Sequence, residues 1–125
     1  MTGPRDAYAG TLRVEVVGHG GGHAEARVTV TEAHLNPHGT AHGAFLFSVA
    51  GIALAAAAND AEHSGVVSAV QIDYVRPARP GDALVAEARV AERLAKEDLF
   101  VVRVTHDGEL VARATGRANR RVRRP

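Results

Sequence analysis

With 125 residues, 46% of them apolar and 23% charged, the chain has the size and composition of one globular domain with a single hydrophobic core. A net charge of +1 gives no overall electrostatic case for nucleic acid. The lack of cysteine excludes disulfides, a thiolate nucleophile and Cys-ligated zinc.

The N-terminal MTGPRDAYAG has no apolar stretch after its charges, so no secretory signal is expected and the cytoplasm is the expected location. Leu12–Val17 alternates weakly and is read as a first strand, with GHGGG (18–22) as a turn. Ala24, Ala26, Val28 and Val30 alternate with polar residues, which predicts a half-buried strand. A polar loop ending in His42-Gly43 follows, then the uncharged run Ala44–Ala58. This run is too short and too Ala-rich to span a membrane, so a buried helix is predicted. Val66–Arg76 reads as a long strand stopped by Pro77 and Pro80. Asp82–Glu92 alternates again. Leu99–Thr105 and Leu110–Ala118 flank Asp107-Gly108, a hairpin signal. The expectation is one domain, 1–125, with a core of about 12–119 and a basic tail at 117–125.

The predicted helix is apolar on every face, so protein must surround it. At about sixteen residues it is roughly 24 Å long, enough to cross a small sheet. An antiparallel sheet of five to six strands wrapped around this helix satisfies the pattern. The small residues Ser48, Gly51, Ala55 and Ala58 would leave a low stripe on its open side. A second copy of the chain in a two-fold homodimer is the simplest cover.

The stretch HLNPHGTAHGAFLFSVAGIALAAAAN (34–59) resembles the signature of hotdog-fold acyl-CoA thioesterases, closest to their phenylacetate-degradation branch. That branch carries an Asn six residues before the His of a His-Gly-Gly turn, and Asn36, His42 and Gly43 match it. IDYVRPARPGD (72–82) resembles the family's strand end and turn, so the likeness runs from about Leu12 to Asn119. The resemblance implies an α+β hotdog fold, assembly as a homodimer or a tetramer of paired dimers, and hydrolysis of an acyl-CoA thioester, with aryl acyl groups among the candidates. Coenzyme A would enter as part of the substrate. No further cofactor, metal, nucleic acid or membrane is implied.

By the same resemblance, the thioester carbonyl rests on the N–H groups of Gly43 and Ala44, with Asn36 and His42 orienting the thioester or a water. Phe45, Ser48 and Ala55 are candidate substrate-binding positions. Unpaired N–H groups at a helix start carry partial positive charge and suit an oxygen that becomes negative. The chain departs from the family at Gly51. There, nine residues after His42, the family has a carboxylate that acts from the partner subunit as nucleophile or general base. Asp73, on a strand that the family places beside the pocket, is the candidate substitute base.

Other readings compete. Asn36, placed before Pro37, is equally a turn former, and His42 is equally a satisfied loop histidine. His34, His38 and His42 have the i, i+4, i+8 spacing of a helical zinc set, but Pro37 and Gly39 argue against a helix there. The five arginines of RANRRVRRP (117–125) read first as a solvated, frayed end and second as attraction for the phosphates of coenzyme A. Two functional alternatives stand beside hydrolysis: acyl-CoA binding without turnover, which Gly51 favours, and a hotdog enoyl-CoA hydratase, suggested by Asn36-Pro37-His38.

Overall fold

The computed structural model describes residues 6–124. Among the described residues, eight strands and two α-helices follow one another as α1 (Ala7–Leu12), β1 (Glu15–Gly20), β2 (His23–Thr29), α2 (Gly43–Ala57), β3 (His63–Ser64), β4 (Val67–Tyr74), β5 (Ala83–Arg93), β6 (Glu97–His106), β7 (Glu109–Asn119) and β8 (Arg121–Val122), with a short 3-10 turn at Glu32–His34. Six strands form one antiparallel sheet in the order β1-β2-β5-β6-β7-β4, and β3 pairs with β8. The sheet wraps around α2, which touches all six of its strands. This is the α+β hotdog arrangement that the sequence predicts.

Alanine makes the wrapping close. The strand faces turned to α2 carry Ala24, Ala26, Ala86, Ala88, Ala112, Ala114 and Ala118, all buried. Across β2–β5 they meet in register as Ala24–Ala88 and Ala26–Ala86. At Gly116 even a methyl group is excluded, because a Cβ there would lie 2.2 Å from Leu54 Cδ1. Leu54, Val49 and Ala53 on α2 are fully enclosed, with Phe100, Val102 and Val104 among the sheet residues in the same core. Burying each large side chain of this kind contributes about 1.5–3 kcal/mol. The β6–β7 hairpin turns at Asp107 and Gly108, both with positive φ (49° and 80°), as its Asp-Gly pair predicts.

Four expectations are corrected. The segment read as the start of a strand at Leu12 is the end of α1, whose N-cap Asp6 accepts a hydrogen bond from Ala9 N–H. Arg13 closes that helix in the left-handed region, and β1 runs on through Gly18–Gly20 instead of turning there. Ala58 is not part of an open stripe. It is buried against the segment around Gly65. The basic tail is not a frayed end over residues 117–123. Arg117–Asn119 belong to β7, and Arg120 pairs with the buried Asp98. The Arg123 guanidinium donates to the carbonyl oxygens of Asp60 and His63. Met1–Arg5 and Pro125 lie outside the described residues.

Candidate active site at the start of α2

The loop before α2 is built around Asn36. Its Oδ1 accepts from the N–H groups of His38 (2.9 Å) and Thr40 (3.2 Å), and its Nδ2 donates to Thr40 Oγ1 (2.9 Å). Its own N–H donates to Thr40 O, and Leu35 bridges Ala41. This is the turn-forming use of asparagine. It spends both Oδ1 acceptances and one of the two Nδ2 hydrogens on the loop. Ala41 N–H then ties the loop to Ala78 O of the β4–β5 connection at 2.8 Å.

His34 anchors the loop from beneath. It is 4% exposed and lies flat on Phe45, ring centroids 3.9 Å apart. Its Nδ1 accepts from Thr31 N–H, which leaves Nε2–H to donate to Leu12 O of α1. Both ring nitrogens are therefore occupied. His38 is exposed at the loop tip, and its backbone N–H is the group held by Asn36. The three histidines do not share a face, as a helical set would require.

His42 is the N-cap of α2 and is exposed. Its extended backbone conformation lets the imidazole Nδ1 accept from Ala44 N–H at 2.9 Å. Two consequences follow. With Nδ1 accepting, the neutral ring carries its proton on Nε2 and offers a donor rather than a base. The Ala44 N–H expected for a ligand is already engaged. Among the described residues, the N–H groups of Gly43 and Phe45 have no protein acceptor. Phe45 is buried, so the half-exposed Gly43 presents the open donor. A shallow pocket of about 220 Å³ lies beside its neighbours His42 and Ala44, with Tyr8 and Leu12 of α1 on another side; Gly43 itself does not line it.

The outer stripe of α2 is formed by Ala44, Phe47, Ser48, Gly51 and Ala55, with Phe47 41% exposed. Ser48 Oγ donates to Ala44 O and is 2.7 Å from the Tyr8 hydroxyl. Gly51 faces open space: nothing lies within 4 Å of where its Cβ would be. The expected substitute, Asp73, is on the wrong side. Strand alternation puts it opposite Ile72 and Tyr74, on the outer face of the sheet. There it pairs with Arg113 of β7 at 3.5 Å. Asp60, beyond the far end of α2, spends its carboxylate on Glu62 and His63 N–H groups. Burial pushes the Asp60 pKa up, but these backbone bonds and the His63 charge outweigh it, and the net shift is downward. Neither carboxylate faces the Gly43 N–H within the protomer.

Two tyrosines escape a reading of the sequence. Tyr8 sits on the unpredicted α1, for which Asp6 as an N-cap was the available signal. Tyr74 reads only as part of a strand, yet its hydroxyl donates to Gly43 O at 2.8 Å.

The thioesterase superfamily profile matches residues 38–113. The chain is 34% identical over 116 residues to the acyl-coenzyme A thioesterase PaaI of Escherichia coli, covering 92% of this chain and 83% of that one. The structure of the E. coli PaaI protein superposes with a TM-score of 0.87 over 93% of this chain and 85% of that chain. A mutant of the phenylacetic acid degradation protein PaaI from Thermus thermophilus gives the same TM-score of 0.87 at 32% identity, covering 91% of this chain and 98% of that chain.

Proposed function

The chain belongs to the thioesterase superfamily and is a thioester hydrolase, and we propose that it hydrolyses acyl-CoA thioesters, aryl ones among them, with the carbonyl oxygen seated on Gly43 N–H. The observation that carries this reading is that donor: the N–H of half-exposed Gly43, without a protein acceptor among the described residues, at the positive end of a fifteen-residue helix. One such donor, aimed at the oxygen of a tetrahedral intermediate, typically contributes about 10²–10³ in rate.

In this reading His42 places Nε2–H beside the same oxygen or the departing sulfur. Asn36 acts through the loop it holds, with one Nδ2 hydrogen left for substrate. Water adds to the carbonyl carbon, the C–S bond breaks, and coenzyme A leaves as its thiol with the acyl group released as an acid. Phe45 supports the site through His34, and Ser48 and Ala55 line the open stripe. A second copy of the chain is the cover proposed for that stripe and for the free edge of β4, where Val66, Tyr74 and Val75 are exposed.

A panel of aryl- and alkyl-CoA thioesters, with release of free thiol followed, tests the proposal. Turnover that falls at least tenfold in His42→Ala supports it. Tight binding of CoA esters with no thiol release would instead favour the non-hydrolytic role that Gly51 suggests. Hydration of crotonyl-CoA would favour the hydratase.

A further inference from the structure

We propose that Tyr74 is a positioning residue for this hydrolysis, fixing the tautomer of His42 through the Gly43–Ala44 peptide; the proposal rests on the roles given above to His42 and Gly43. Tyr74 is the last residue of β4, and the pleat turns it toward the start of α2, opposite to Asp73. Its hydroxyl donates to Gly43 O at 2.8 Å. That oxygen belongs to the same peptide unit as Ala44 N–H, which donates to His42 Nδ1 at 2.9 Å. The result is one unbroken chain: Tyr74 hydroxyl, Gly43 carbonyl, Ala44 N–H, His42 Nδ1.

Such chains polarise along their length. A donor on the carbonyl oxygen draws electron density from the amide nitrogen, and Ala44 N–H becomes a stronger donor. A stronger donor at Nδ1 holds the imidazole proton on Nε2, the nitrogen free to meet substrate. Gly43 is part of this arrangement. A Cβ there would lie 3.2 Å from Tyr74 Cζ and Oη, so the ring would have to shift by a few tenths of an ångström to make room. The Tyr74 contact therefore depends on the side chain that Gly43 lacks.

Tyr74→Phe keeps the ring and removes only the hydroxyl. Imidazole proton–nitrogen correlations, recorded under alkaline conditions where histidines are neutral, report the tautomer, with His42 assigned through His42→Gln. Wild type is expected to show His42 with its proton on Nε2, and Tyr74→Phe a mixture of tautomers. On the best thioester from the panel, kcat should fall roughly 3- to 10-fold with KM changed by less than about twofold, the scale of one net hydrogen bond. Thermal unfolding of both proteins separates this from a loosened helix. An unchanged tautomer in the variant, or an unchanged kcat, overturns the proposal. A rate loss that follows only a fall in Tm, with the tautomer intact, makes Tyr74 a plain clamp and also overturns it. If wild type hydrolyses no thioester, the reading of the site fails on its own, and the tautomer comparison still decides whether the relay exists.

Discussion

The His34 imidazole lies flat on the Phe45 ring, centroids 3.9 Å apart and planes within 10°, and so couples the loop to the first turn of α2. The same imidazole links Thr31 N–H to Leu12 O, and His34 O receives His42 N–H. Three segments of chain meet at this one buried residue. His34→Ala should leave a cavity and at least one buried polar group unpaired, costing about 2–4 kcal/mol in the urea unfolding free energy. His34→Phe should recover the stacking and not the hydrogen bonds, with a loss nearer to about 1–3 kcal/mol. A loss below about 0.5 kcal/mol in His34→Ala, the range of neutral surface changes, would show that the loop is held elsewhere.

Gly51 is the position where chemistry can be added. Nothing lies within 4 Å of its Cβ site, and aspartate is no worse than glycine inside a helix. Gly51→Asp should therefore fold with wild-type stability to within about 0.5 kcal/mol. If the carboxylate position is simply vacant, its kcat should rise at least tenfold, toward the roughly 10²–10⁴ of a positioned base. An active wild type that the variant does not exceed would mean that another group already activates water.

The sheet, the helix and the odd glycine were all legible, because period-two alternation, a fifteen-residue uncharged run and an Asp-Gly turn are local signals. The alternation that revealed β4 could also have placed Asp73 on the outer face, since Ile72 and Tyr74 share the inner one. The engagement of Ala44 N–H was not legible. It depends on the rotamer of His42, which no spacing records. Neither was the docking of Arg120 and Arg123, whose partners Asp98, Asp60 and His63 lie 22 to 63 residues away in sequence. An arginine-rich end reads as solvated until its partners are located.

Asp98 holds that end down. It is 4% exposed and receives Arg93 and Arg120, while Arg120 also donates to Leu94 O. Asp98→Ala would leave two guanidinium groups without their anion. Because both are partly hydrated, the cost should fall below that of a fully buried pair, at about 2–3 kcal/mol by chemical denaturation. The β3–β8 pair should loosen with it, so amides of Ser64 and Arg121 should exchange faster with solvent than those of β5 and β6. Unchanged exchange at those two residues would show that Arg123, not Arg120, secures the end.

His106 makes stability depend on pH at the opposite end of the sheet. Its Nδ1–H donates to Ala83 O, and Asp82, Asp107 and Glu109 stand around it; together these outweigh partial desolvation and raise its pKa above the ordinary imidazole value. Glu109 is itself paired with Arg76. A raised pKa means that the folded state binds the proton more tightly than the unfolded chain. The stabilisation is then complete below the unfolded value, near about 6.5, and is lost as pH rises through the higher folded one. Wild type should accordingly lose urea midpoint between about pH 6 and pH 8. His106→Gln keeps a donor for Ala83 O but cannot titrate, so its midpoint should stay flat across that interval. Parallel curves for the two proteins would assign the pH dependence to another group.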